Sequence, residues 1–241
     1  MFFGTSSYKK TQKTPRLHFI QHVEFESIGI IEAWALEKGM EITSTKMYLG
    51  EELPDRKDLK EIDLLLVLGG PMNIYEYEEY PWLKEEKVFL KKAIREATIF
   101  KKMAVVGICL GAQLISDALG GSVTENQYKE VGWFPVRSTN DMVPDSLSVF
   151  HWHSDTFSIP KGAKCFSFSQ GCANQAFIYK QKVLGLQFHL EMAMEDIERL
   201  YENCAGELDS GPYVQLHNIS DTKRLSEANA AMISILEKMV A

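Results

Sequence analysis

The stretch Ala104-Val105-Val106-Gly107-Ile108-Cys109-Leu110-Gly111-Ala112-Gln113 restricts the fold more than any other part of this chain. An apolar strand, Met103 to Ile108, runs straight into a helical pattern, Leu110 to Leu119, that ends at Gly120-Gly121. So tight a corner holds its central residue in a backbone conformation that side chains disfavour, and its neighbours must be small, hence Gly107 and Gly111. A strand that turns at once into a helix implies an α/β architecture, with Cys109 at the carboxyl end of the strands, where open sheets place their ligands. The helix N-terminus behind the thiol carries partial positive charge and favours thiolate. An isolated Gly-x-Cys-x-Gly also suits a structural cysteine between packing glycines. The strand before it, the helix after it and Gln113 favour the nucleophile.

The rest of the chain agrees with that architecture. Leu17–Val23 and Glu41–Tyr48 read as strands around a helix, Ile28–Lys38, which stops at Gly39, the expected left-handed cap. Ile62–Leu68 is a continuous apolar run of the kind buried on both faces of a parallel sheet, and it leads into Gly69-Gly70-Pro71. Trp82–Phe100 sets Phe89, Ala93, Ala97 and Phe100 on one helical face. Strands alternating with helices over residues 17–119 predict right-handed βαβ units. From Ser122 to Glu191, short β-like runs replace the helices, including Phe177–Lys180 and Val183–His189. Helical patterns return at about 194–205 and 222–240. The expectation is a three-layer, mostly parallel open sheet flanked by helices, flavodoxin-like, with a smaller antiparallel β addition. Residues 1–15 are expected to be a flexible extension and 16–241 one domain, on which the terminal helices of 192–241 pack.

A thiolate nucleophile needs an imidazole to protonate the leaving amine, and the imidazole needs an acceptor to fix its tautomer. Gly185-Leu186-Gln187-Phe188-His189-Leu190-Glu191 supplies both, because residues i and i+2 of a strand point to the same side. His18 and His22 on the first strand and His217 in a late loop are weaker candidates. His151 and His153, in His151-Trp152-His153-Ser154-Asp155, read as ordinary β-edge residues with a nearby Asp and no third ligand cluster, so no metal is expected.

Charge excludes some partners. Lys and Arg number 26 against 33 Asp and Glu, a net −7, so neither nucleic acid nor another polyanion is an expected partner. The four cysteines (109, 165, 172 and 204) follow no zinc or disulfide spacing. The start, Met1-Phe2-Phe3-Gly4-Thr5, lacks a signal-peptide pattern, and the longest apolar run is too short for a bilayer. A cytoplasmic protein with no membrane association and no cofactor is the expectation.

Four motifs in order resemble class I glutamine amidotransferase domains, most closely the stand-alone group similar to the amidotransferase domain of GMP synthase. They are Leu68-Gly69-Gly70-Pro71-Met72, Gly107 to Gln113, His153-Ser154-Asp155 and Gln187 to Glu191. The resemblance implies that Cys109 forms a γ-glutamyl thioester from glutamine and releases ammonia, with His189 and Glu191 completing the triad. It further implies an oxyanion hole from the Gly70 and Leu110 backbone N–H groups, and substrate contacts from Gly69, Gln113, Ser154 and Asp155. Two departures stand out. Ala112 occupies a position that is often His in relatives, and no synthetase sequence follows within the chain, so a synthetase or other acceptor enzyme is expected on a separate chain. Two alternatives share these residues: a γ-glutamyl peptide hydrolase with the same triad, and a non-catalytic regulatory protein. An α/β-hydrolase fits worse, because its chain order is nucleophile, acid, histidine.

Overall fold

The computed structural model describes residues 13–100, 102–217 and 219–241, with Glu207 described by its backbone only. Most of the extension expected over residues 1–15 therefore lies outside the described residues. In chain order the elements are β1 (Arg16–Gln21), α1 (Ile31–Glu37), β2 (Glu41–Lys46), α2 (Arg56–Leu59), β3 (Leu64–Val67), α3 (Trp82–Arg95), β4 (Ala104–Ile108) and α4 (Leu110–Ala118). They continue with β5 (Val123–Ser138), β6 (Leu147–Phe157), β7 (Ala163–Phe168), β8 (Ala176–Tyr179), β9 (Val183–Leu186), α5 (Met194–Cys204) and α6 (Thr222–Val240).

The strands form one mixed sheet in the order β2-β1-β3-β4-β9-β8-β7-β5-β6. The first five are parallel, in a flavodoxin-like order, and the pairings from β9 onward are antiparallel. The antiparallel part is thus a continuation of the parallel sheet. Alternation along β3 shows the three layers. Leu64 and Leu66 face Ile31 and Trp34 of α1, Ile197 of α5 and Met232 and Ile235 of α6. Leu65 and Val67 face Leu83 and Phe89 of α3 and Leu114 and Ile115 of α4. All four β3 side chains are buried, which is why the sequence there is apolar without a break.

Two local readings need correction. The α-helix that starts at Trp82 ends at Arg95, and Glu96–Phe100 form a π-helical turn. There the Thr98 hydroxyl donates to the Ile94 carbonyl at 2.7 Å, in competition with the backbone ladder. The wider turn shifts the register, and Phe100 is 51% exposed rather than on the buried face. The second correction concerns Val183–His189, where the strand stops at Leu186. Beyond it the chain bends, and a single bridge pairs His189 with Phe150.

The topology matters most at β9. Although it is the last strand in sequence, β9 lies parallel to β4, with Ile108 opposite Leu186. Both strands end at the same edge, and the Cys109 N–H donates to the Leu186 carbonyl at 2.7 Å. The segment after β9 therefore emerges beside the corner after β4. Among the described residues no helix is long and apolar enough to cross a membrane.

Candidate active site

Cys109 sits at the junction of β4 and α4 with φ 52° and ψ −112°, a non-glycine residue at positive φ. Strain of this kind costs about 1–3 kcal/mol and persists only where the surroundings impose it. Here a Cβ on Gly111 would lie 2.0 Å from the Val67 carbonyl oxygen, so α4 closes onto β3 at a distance only glycine permits. The thiol, 7% exposed, is 3.6 Å from the Trp152 carbonyl of β6. The Gln187 amide lies 3.8 Å from Sγ, and the Gln113 amide donates to Gln187 Oε1 at 3.2 Å.

His189 and Glu191 are joined, though not by strand alternation. In the bent segment after β9, His189 Nδ1–H donates to Glu191 Oε1 at 2.7 Å, and Glu191 Oε2 accepts from the Leu190 N–H at 2.9 Å. Both side chains are buried. Burial pulls the His189 pKa down, but Glu191 and Cys109 outweigh it and hold the pKa well above the ordinary histidine value. The imidazolium is thus favoured next to the sulfur.

One cavity is lined by Gly70, Cys109, Leu110, Gln113, Ser154, Asp155 and His189. The sequence-predicted residues Gly69 and Glu191 stand behind this wall. Gly69 is held from the back, because its carbonyl accepts from His22 Nδ1–H at 2.8 Å while His22 Nε2 is 3.1 Å from both Glu86 carboxylate oxygens. His22 and Glu86 are buried. The Asp155 carboxylate accepts from the Tyr75 hydroxyl at 3.2 Å. Burial raises its pKa more than Tyr75 lowers it.

Sequence reasoning missed several neighbours. Glu26, in the loop between β1 and α1, lines the cavity and is 8% exposed. Burial raises its pKa to about 7, with His189 pulling it down and Glu191 pushing it up. A Cβ on Gly69 would lie 2.4 Å from Glu26 Oε2, so the carboxyl also abuts the glycine loop. Nothing about an acidic residue in Glu24-Phe25-Glu26 marks it. The usable signal is topological, since loops after parallel strands gather at the carboxyl edge. The β1–α1 loop is fixed by Gln21 Nε2, which donates to the Glu26 carbonyl at 2.6 Å, and by the Ile30 N–H, which donates to the Glu191 carbonyl at 2.8 Å. His22 was passed over as an ordinary strand histidine. Glu130 was also missed: β5–β6 pairing sets it opposite His153, so the third potential metal ligand beside His151 and His153 comes from a neighbouring strand.

Comparison with known proteins gives the family. The family described as Glutamine amidotransferase class-I matches residues 33–205. The glutamine amidotransferase-like protein YfeJ of Salmonella typhimurium is 35% identical over 202 residues, 80% of this chain and 82% of that protein. A glutamine-hydrolyzing GMP synthase subunit of Methanococcus vannielii is 34% identical over 134 residues, 50% of this chain and 71% of that one. The crystal structure of a glutamine amidotransferase from Thermotoga maritima superposes with a TM-score of 0.81 at 33% identity, covering 95% of this chain and 99% of that one. With more than half its length inside the matching region, this chain belongs to the class I glutamine amidotransferase family.

Proposed function

We propose that the chain hydrolyses the side-chain amide of glutamine through a γ-glutamyl thioester on Cys109 and releases ammonia to an acceptor enzyme on a separate chain. One observation carries this reading. Cys109, on its strained corner, shares a cavity with His189, whose second ring nitrogen is held by Glu191 at 2.7 Å. In the first half-reaction the thiolate attacks the amide carbon, and the imidazolium protonates the departing nitrogen so that it leaves as ammonia. In the second, His189 takes a proton from water as that water attacks the thioester, and glutamate leaves with the thiol restored.

The oxyanion is stabilised by the Gly70 and Leu110 N–H groups. Leu110 is the first residue of α4, so its N–H has no intrahelical acceptor. His22 holds the Gly69 carbonyl from behind, and in a trans peptide the Gly70 N–H then points the opposite way, toward the cavity that Gly70 lines. Such donors are worth several kcal/mol to the transition state. Gln113, Ser154 and Asp155 hold the amino-acid end, Asp155 as the carboxylate facing the substrate ammonium. Relatives named as subunits of GMP synthase support a synthetase partner chain.

A second reading, γ-glutamyl peptide hydrolysis, draws on the same cavity, whose wall continues past the triad to Lys129, Leu200, Cys204 and Leu208. The two are separated by steady-state release of glutamate from glutamine and from γ-glutamyl dipeptides, with Cys109→Ser as the blank. Glutamine turnover that vanishes in Cys109→Ser and rises when a synthetase is added supports the amidotransferase reading. Turnover confined to the dipeptides replaces it with the second, and turnover unaffected by Cys109→Ser refutes both.

A further inference from the structure

Against the catalytic cavity, and apart from the triad, lies a buried polar cluster whose side chains the proposed chemistry does not use, although one of them, His153, lines the cavity. Antiparallel pairing sets Glu130 of β5 directly opposite His153 of β6, while His151, two residues earlier on the same strand, faces Gly132. Glu130 and His151 are fully buried, and His153 is 6% exposed. One ligand atom from each of the three falls within 4.8 Å of the others.

The protons of this cluster can be assigned. His153 Nδ1 is 3.0 Å from the Asp155 carbonyl, and His151 Nε2 is 3.4 Å from the Phe134 carbonyl. A carbonyl only accepts, so these nitrogens carry the hydrogens, and the other two, His153 Nε2 and His151 Nδ1, present lone pairs. Those lone pairs face Glu130 Oε2, at 3.1 Å and 3.9 Å. The carboxylate itself accepts from the Ser169 hydroxyl and the Gln175 amide, each at 2.6 Å. Among the described residues, four buried side-chain polar atoms lack a hydrogen-bond partner, and three belong here: His151 Nδ1, His153 Nε2 and Gln175 Oε1. Buried polar atoms are rarely left so.

A proton on His153 would pair it with Glu130 yet leave His151 Nδ1 orphaned. A cation among Glu130, His151 and His153 would give both ring nitrogens a partner. Each histidine already donates its other N–H to a backbone carbonyl, and the carboxylate is hydrogen-bonded in turn, which is the outer shell that orients metal ligands. We propose that Glu130, His151 and His153 bind a divalent transition-metal ion, zinc by the chemistry of two imidazoles and one carboxylate. The ion ties β5 to β6 immediately before Ser154 and Asp155, and its role is structural, to stiffen that segment of the cavity wall.

The test uses the full chain carrying Cys109→Ser, so that the catalytic thiol does not capture the ion. The protein is stripped with chelator, given zinc and gel-filtered, and its metal is counted by plasma mass spectrometry. The melting temperature and the zinc-edge X-ray absorption spectrum are then recorded. The proposal expects about one zinc per chain, a melting temperature higher by about 5 °C, and a first shell of two imidazole nitrogens and carboxylate oxygen. His151→Leu should weaken uptake at least about tenfold, with Glu130→Gln as the second variant if the first does not fold. Retention of no zinc by the folded parent overturns the proposal. So does uptake that both variants leave unchanged, or an absorption spectrum without imidazole.

Discussion

At the scale of single residues, Glu26 and Glu191 show how two buried carboxylates around one imidazole differ in their work. Glu191 accepts from the His189 ring at 2.7 Å and stabilises its charged form. Glu191→Gln keeps the shape and removes the charge, and kcat for glutamine is expected to fall on the order of 10²–10⁴-fold, measured against a circular-dichroism spectrum that does not change. Glu26 has no such hydrogen bond among the described residues, and burial raises its pKa from 4.5 to about 7. A raised acid pKa means that folding favours the protonated form. The stability it gives is complete below the unfolded value and is lost as pH rises through about 7. Glu26→Gln should therefore be more stable than the parent above about pH 8, by about 3 kcal/mol, and the difference should vanish below about pH 4.5. Urea unfolding across pH checks this, and equal stability at every pH would contradict it. Because ionised Glu26 also favours the His189 imidazolium, the same variant should shift the basic limb of the kcat/KM profile to lower pH.

At the scale of elements, the corner after β4 was legible because its constraint is local: strand, small residue, cysteine, small residue and helix follow one another in sequence. Gly111→Ala tests it. The added methyl would meet the Val67 carbonyl at 2.0 Å, where backbone rather than a flexible side chain must move. A loss of about 3 kcal/mol or more is expected, read from the urea midpoint. The pairing of His189 with Glu191 was also legible, but for an incomplete reason. Their contact comes from a bend after β9, which a period-two pattern does not encode. The π-helical turn at Glu96–Phe100 was missed because the apolar spacing alone continues the helix through it. Glu130, His22 and Glu26 were missed for a common cause. Each takes its role from contact with a residue at least 20 positions away in sequence, through strand order and register that no local pattern carries.

At the scale of the whole molecule, the C-terminal helix has a task the sequence did not disclose. Through Ala228, Met232, Ile235 and Met239, α6 buries itself on the face of the sheet that α1 and α5 also cover. It also reaches the site. Asn229 donates to the Leu190 and Met192 carbonyls, each at 2.9 Å, on either side of Glu191. Asn229→Leu leaves both carbonyls without that donor. The account predicts a stability loss of about 1–3 kcal/mol together with a lower kcat at nearly unchanged KM, since Glu191 shifts while the substrate contacts remain. Urea unfolding and steady-state glutamine turnover on the same preparation separate the two effects.

The central claim is that Cys109 is a nucleophile in a glutamine-shaped site, and covalent capture tests it most directly. The protein is incubated with a diazo-ketone analogue of glutamine and digested, and the adduct is located by peptide mass spectrometry, with Cys165, Cys172 and Cys204 as internal controls. The account predicts labelling of Cys109 alone, suppressed by excess glutamine. Labelling spread over the four cysteines, or Cys109 labelling that glutamine does not suppress, would contradict it.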